Sequence, residues 1–201
     1  MKKFTLLLLV FASLNSFAQK KRIIEKGTWK IGGQFSLNHR KTKSNVDLQN
    51  NNDNKNYHWL VMPQISYAIS KNTLVGLKIG YKHSNRKQNN NNEYKNDLYT
   101  LGINLDKYFA INKQLLFNLS TNINYSWADQ TDDRRQKTLF IGFQPELNFF
   151  LSKRFAIEAS IGSLGYSFYK SNDSGIDHLE AHSFQMNLNS EDLRFGFAYY
   201  F

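Results

Sequence analysis

One parity runs through most of this chain. In six successive segments, 29–40, 57–69, 73–83, 97–109, 114–127 and 138–151, the apolar and aromatic residues fall on odd-numbered positions and the polar or small ones on even positions. A period of two is the mark of an extended strand with one apolar face. Because a slip of one residue would turn a strand over, six strands sharing a frame belong to a single sheet. In the seventh, from Phe155 to Tyr169, the apolar set moves from Ile157, Ala159 and Ile161 to Leu164, Tyr166 and Phe168, which predicts a bulge near Ser163. The eighth changes frame too, since Phe184, Met186 and Leu188 are even whereas Leu193, Phe195, Phe197, Tyr199 and Phe201 are odd. Its regular part is thus expected in about the last ten residues. So apolar a last strand would be a pairing hazard at the edge of an open sheet, and closure against the first strand removes that edge. The expected fold is all-β: an eight-stranded antiparallel barrel in an up-and-down meander.

The connections alternate in kind. Ile69-Ser70-Lys71-Asn72, Ile111-Asn112-Lys113-Gln114 and Leu151-Ser152-Lys153-Arg154 are three versions of one short turn, each leading into a new apolar run. Between them stand longer polar stretches at 41–56, 84–96, 128–137 and 170–182, two of which hold Asn runs. Three short turns at one end and four long loops at the other are what eight strands give when both termini lie at the short-turn end. Pro63 and Pro145 fall inside strands and each removes a donor from the ladder, so bulges near the short-turn third, or strand starts, are expected there.

Alternation alone fits a soluble lipocalin-like barrel as well as a membrane one. Two features favour the membrane. The polar face of the fifth strand is Asn118, Ser120, Asn122, Asn124 and Ser126, and that of the first includes Gln34, Ser36 and Asn38; a soluble exterior would carry more Lys and Glu. Aromatics gather at both strand ends, with Tyr57, Trp59, Tyr81, Tyr99, Tyr125 and Trp127 toward the long loops and Trp29, Tyr67, Phe109, Phe149, Phe155, Tyr199 and Phe201 toward the short turns. Two girdles around an apolar band suit a bilayer.

The N-terminus fits export. Met1-Lys2-Lys3, the Leu-rich run from Phe4 to Phe11 and then Ser16-Phe17-Ala18 read as a signal peptide over 1–18, with the barrel domain in 19–201. Residue 19 is Gln, so the lipidated cysteine of a lipoprotein is missing, and the chain has no cysteine at all, which rules out disulfides and thiolate metal sites. The formal charge of +10 falls to +8 once Lys2 and Lys3 leave with the signal. In an exported barrel the polyanion at hand is phosphate-bearing lipopolysaccharide rather than nucleic acid. Arg40, Lys82, Arg86, Lys87, Arg134 and Arg135 at the long-loop end are the candidate contacts to it.

The run Lys26-Gly27-Thr28-Trp29-Lys30-Ile31-Gly32-Gly33, then Pro63 with Ile65, Tyr67 and the Ser70-Lys71-Asn72 turn, then Gly76, Gly80 and Tyr81, resembles the small outer-membrane β-barrel domain family of Gram-negative bacteria. The resemblance spans essentially the whole mature chain. Its architectural relatives are the OmpA/OmpX-type eight-stranded barrels. It implies an integral protein of the cell outer membrane whose partners are outer-membrane lipids and lipopolysaccharide and, during biogenesis, the barrel assembly machinery. The C-terminal stretch likewise resembles the recognition strand of such proteins, which makes Phe195, Phe197, Tyr199 and Phe201 the expected assembly signal.

Chemistry is sparse. His178 and His182 with Asp177 and Glu180 offer a metal-ligand spacing in the fourth loop, and Asp129, Asp132 and Asp133 form an acidic cluster without EF-hand spacing. His83-Ser84 and His182-Ser183 are similar to the His and Ser of lipid A deacylases, but the sequence shows no supporting carboxylate at a fixed spacing. The expectation is therefore no enzyme, no cofactor, no metal and a monomer, with a structural or surface-interaction role in the loops. A narrow channel and a lipid A-modifying enzyme are the alternatives. Lys78, Glu146, Glu158 and Arg194 share the inward parity and, counted from the short turns, nearly one height, which predicts a charge network across the lumen with Arg194 neutralising the acids.

Overall fold

The computed structural model describes residues 22–44, 52–87, 93–130, 135–173, 176–187 and 193–201; the expected signal peptide lies outside them. The strands are β1 (Trp29–Ser44), β2 (Asn52–Ser70), β3 (Thr73–Lys87), β4 (Glu93–Ala110), β5 (Leu115–Gln130), β6 (Arg135–Phe150), β7 (Phe155–Ser160), β8 (Ser163–Asp173), β9 (Ile176–Asn187) and β10 (Arg194–Tyr200). All pairings are antiparallel. Neighbours run β5-β4-β3-β2-β1-β10-β7-β6, and β6 pairs back with β5 to close the ring. β7 with β8, and β9 with β10, each make one stave, so the ten segments form an eight-stranded meander barrel.

Parity maps onto the two faces as the pattern requires. Leu101 and Ile103 are more than half exposed on the outside, while Asn104, Asn118 and Asn122 are fully buried inside. The frame change in the seventh stave has a local cause. Glu146 faces Ser160 and Phe143 faces Leu164, so β6 advances three residues while its partner advances four. The extra residue lies at Ile161–Gly162, where Gly162 takes φ 65°. Pro145 stands opposite this break, where the ladder needs no N–H from it, and stays in register with Leu119 on the other side. Pro63 makes no bulge: it stays opposite Gly33, and the β2–β3 ladder skips one stretch between Val61–Tyr81 and Gln64–Lys78 without changing register. The irregularity of that pair lies instead between Ala68 and Ser70, beside the turn in which Asn72 adopts φ 57°.

Much of the expected long loops is strand. β3 and β4 stay paired out to Lys87 and Glu93, and β1 and β2 out to Ser44 and Asn52. Polar hairpins satisfy their backbone by pairing in water whatever their side-chain pattern, so the apolar alternation stops before the strand does.

Closure is made by β1 and β10, from Lys30 opposite Tyr200 to Phe35 opposite Phe195. Trp29 and Phe201 exchange backbone bonds at 2.8 and 3.0 Å at the end of that ladder. Glycines let these two strands approach: a Cβ on Gly196 would stand 2.5 Å from the Gly33 carbonyl oxygen. The segment 22–28 then folds across the short-turn end. The Ile24 N–H donates to Asn72 Oδ1 at 2.7 Å, Asn72 N–H donates back to the Ile24 carbonyl, and the Arg22 guanidinium lies 3.6 Å over the Phe150 ring. Ile24 is thereby buried on inward-facing Ala68, Leu74, Tyr108, Leu116, Phe150, Ala156, Ala198 and Tyr200, an apolar cluster across the barrel base.

Candidate functional site

Above the apolar base lies a buried polar layer. Lys30 and Glu158 are 0% and 1% exposed and pair at 2.6 Å. The approach is off the line of a hydrogen bond, and neither Glu158 oxygen accepts one among the described residues, so its charge is held by the ion pair. Lys30 Nζ also donates to Tyr108 Oη at 3.1 Å. Glu146 accepts from Gln34 Nε2 at 3.0 Å and from Asn118 Nδ2 at 3.1 Å. Asp106 accepts from Ser120 Oγ at 2.6 Å and from Asn104 Nδ2 at 2.8 Å. Lys78 Nζ donates to Asn122 Oδ1. All these side chains occupy even positions, and they come from six different strands.

Of the four residues expected to form the network, Lys78, Glu146 and Glu158 are buried in the layer. Arg194 is half-buried and lines a cavity on the layer's outer side. The cation on Glu158 is Lys30, which the height count passed over. The two glutamates are diagonal neighbours and not opposite ones, because Glu158 faces Asn148 while Glu146 faces Ser160. Asp106, 1% exposed, adds a third acid to the layer.

The cavity in the outer half of the lumen has a volume of about 240 Å³. Leu60, Met62, Leu98 and Phe140 supply its apolar wall, and His58, Lys82, Thr100, Gln144 and Arg194 are among its polar residues. Lys82 therefore points into the lumen and away from the outer surface, which its even parity requires; its expected place among outward lipopolysaccharide contacts is corrected. Arg40, Arg86 and Lys87 are exposed on the outer extensions of β1 and β3. Lys87 lies 3.5 Å from Glu93. Arg134 and the side chain of Arg135 lie outside the described residues.

Neither His–Ser pair makes a nucleophile and base. His83 faces outward and bonds Asp97 Oδ1 at 2.6 Å, with Tyr81 Oη donating to the same carboxylate at 2.9 Å. Ser84 is the next residue of the strand and faces inward, so the carboxylate the sequence did not reveal supports a histidine with no serine beside it. His182 Nδ1 meets Tyr166 Oη at 2.5 Å and stands edge-on to Phe168. The side chains of Asp129, Asp177 and His178, and the whole of Asp132 and Asp133, lie outside the described residues, and no cluster of metal ligands occurs among those described.

Outside, Trp59, Tyr81, Tyr99, Trp127 and Tyr125 form an unbroken belt with ring centroids 5.1 to 5.9 Å apart. At the other end Trp29 meets Tyr67 at 4.9 Å, and Phe109 meets Phe117 at 6.1 Å. Phe195, Phe197, Tyr199 and Phe201 all face outward beside the closure, where Phe197 stacks on Phe35 and Phe155.

A closed antiparallel barrel with a polar interior and an apolar outer band between two aromatic belts defines a class, the transmembrane β-barrels. The chain belongs to the outer membrane protein β-barrel domain family, whose pattern covers residues 4–201. No curated protein matches its sequence. Among solved structures it is similar to a major outer membrane protein from Thermus thermophilus, at 9% identity and a TM-score of 0.45 over 87% of this chain and 99% of that one. An outer membrane channel from Pseudomonas putida follows at 7% identity and a TM-score of 0.34, over 92% and 98% of the two chains. The β domain of the Bordetella autotransporter Brka follows at 8% and 0.34, over 89% and 99%.

Proposed function

We propose that this chain is an integral protein of the cell outer membrane, exported by a signal peptide over 1–18, and that its barrel is a non-conducting scaffold. Its role is structural or surface-interacting and is carried by the extracellular hairpins. The observation that carries this reading is the lower lumen, where Lys30, Lys78, Asp106, Glu146 and Glu158 are each at most 5% exposed above the apolar base. Eight strands enclose an interior that side chains can fill, and this buried charged layer supports a filled lumen toward the short-turn end. The opposite faces of His83 and Ser84 favour a scaffold over a lipid A hydrolase. Arg40, Arg86 and Lys87 extend beyond the outer aromatic belt, at the height of lipopolysaccharide phosphates. Phe201 and the outward aromatics before it serve as the signal read by the barrel assembly machinery.

Planar-bilayer recording of the purified barrel tests the reading. The expected trace is silent or shows only rare flicker. Stable, large conductance steps from the wild-type barrel would refute the filled lumen and favour the channel alternative.

A further inference from the structure

Height alone does not choose a lipid contact; the face does. On β2 the outward residues pass from Ile65 and Val61 to Trp59 and Tyr57 and then to Lys55, and on β3 from Leu77 and Ile79 to Tyr81, His83, Asn85 and Lys87. Apolar, aromatic and basic groups thus follow one another along a single face, the order in which a lipid presents its chains, its backbone and its charged head. Lys55 stands four residues, or ~13 Å of strand, beyond Trp59, and less along the membrane normal once the strand tilts. Among Arg40, Arg86 and Lys87, only Lys87 has this outward parity.

The ladders set Lys55 directly opposite Lys87, and Tyr57 opposite His39 on one side and Asn85 on the other. Like charges that face each other across a ladder are destabilising. Glu93 stands on the β4 side, 3.5 Å from Lys87 and 3.9 Å from Lys95, so one carboxylate is shared by two lysines. Lys55 is exposed and has no ion-pair partner among the described residues. His39, Lys55, Tyr57, Asn85 and Lys87 line an open cleft of about 460 Å³, and none of the five is acidic. Two ammonium groups, an imidazole and a phenol therefore share one concave surface, and an anion seated there would relieve the facing lysines. On the opposite wall the facing lysines Lys137 and Lys170 have Glu180 on Lys170 at 2.7 Å, so a close ion pair already relieves them.

We propose that this cleft holds one phosphate of a lipid A-type glycolipid whose chains lie on the outer face of β2 and β3. Lys55 and Lys87 take the phosphate oxygens from two sides, His39 and Tyr57 donate from the β1 side, and the acyl chains run down over Trp59, Val61 and Ile79. A free aqueous anion would use the same donors but would need no aromatic and apolar run beneath them. The inference rests on the outer-membrane placement proposed above and is independent of whether the barrel conducts.

The full chain, refolded in detergent and shown folded by heat-modifiable mobility, is titrated with diphosphoryl lipid A and with the same lipid stripped of phosphate, the bound lipids being counted by native mass spectrometry. Preferential retention of a single diphosphoryl lipid A supports the site. Lys55→Gln and Lys87→Gln should each weaken retention about fivefold, the worth of one lysine beside a charged headgroup. Lys137→Gln, outward but on the opposite wall, should change it by less than about twofold. Equal retention of the two lipids, an equal loss in Lys137→Gln, or complete displacement by millimolar inorganic phosphate would each overturn the proposal, the last by making the ligand an aqueous anion. Insertion into phosphatidylcholine liposomes is scored separately. A barrel that inserts but does not discriminate overturns this site alone, and one that folds without inserting overturns the membrane placement and the site with it.

Discussion

Replacing Lys30 by Met should be the most damaging single change in the lumen. The side chain is fully buried and lies 2.6 Å from a carboxylate that is itself 1% exposed. Met fills nearly the same volume, so the cost arises from the orphaned charge and not from a cavity. Breaking a buried pair from one side costs about 3–5 kcal/mol, and losing the Lys30 bond to Tyr108 adds about 1 kcal/mol. The barrel, refolded into lipid vesicles, would be unfolded in urea and followed by Trp fluorescence and heat-modifiable mobility. Lys30→Met/Glu158→Met should return to within about 1 kcal/mol of wild type, because removing both charges also removes the cost of dehydrating them. Arg194→Ala, at a half-buried site, should cost less than Lys30→Met. A Lys30→Met loss below about 1 kcal/mol, or a double variant as unstable as the two singles combined, would show that the pair does not hold Glu158 in place.

Three further outcomes are expected. Leu101→Arg, on the apolar band, should cost about 2–4 kcal/mol in the same assay, and Ser126→Arg, on the cavity wall, should cost clearly less; the reverse ranking would mean the faces are inverted. Deleting Phe201 removes the last closure bonds to Trp29 and an outward aromatic, and should lower the amount of folded barrel recovered from outer membranes; undiminished recovery would count against its role as a signal. Gly196→Val puts a branched side chain 2.5 Å from the Gly33 carbonyl and should cost about 1–3 kcal/mol, with β1–β10 amides exchanging faster in hydrogen–deuterium measurements.

Architecture was readable because a strand has only two faces. A single frame from Trp29 to Leu151 sets strand number, sidedness and inward residues at once, and the frame change after Ile161 located the bulge. Height was harder to read. Counting along strands ignores the stagger of a closed barrel, so Lys30 near the start of β1 was passed over although it reaches Glu158 on β7. Asp106 escaped for the same reason. Nothing in the pattern announced the cap by Ile24, since a crossing segment without period two leaves no repeat to detect. The polar outer hairpins read as loops because the apolar signal stops where the membrane does.

The Lys30–Glu158 pair also bears on the order of assembly. Lys30 is in the first strand and Glu158 in the seventh, and no single hairpin contains both. Until β1 meets β10, each charge keeps its own hydration shell, and neither early hairpin can shed water from its inward side. Dehydration is therefore deferred to the ring-closing event, which becomes one concerted step in which the interior dries and the charges meet. Ionic strength should act chiefly on the rate of that last step, while the earlier insertion of hairpins proceeds with a solvated interior.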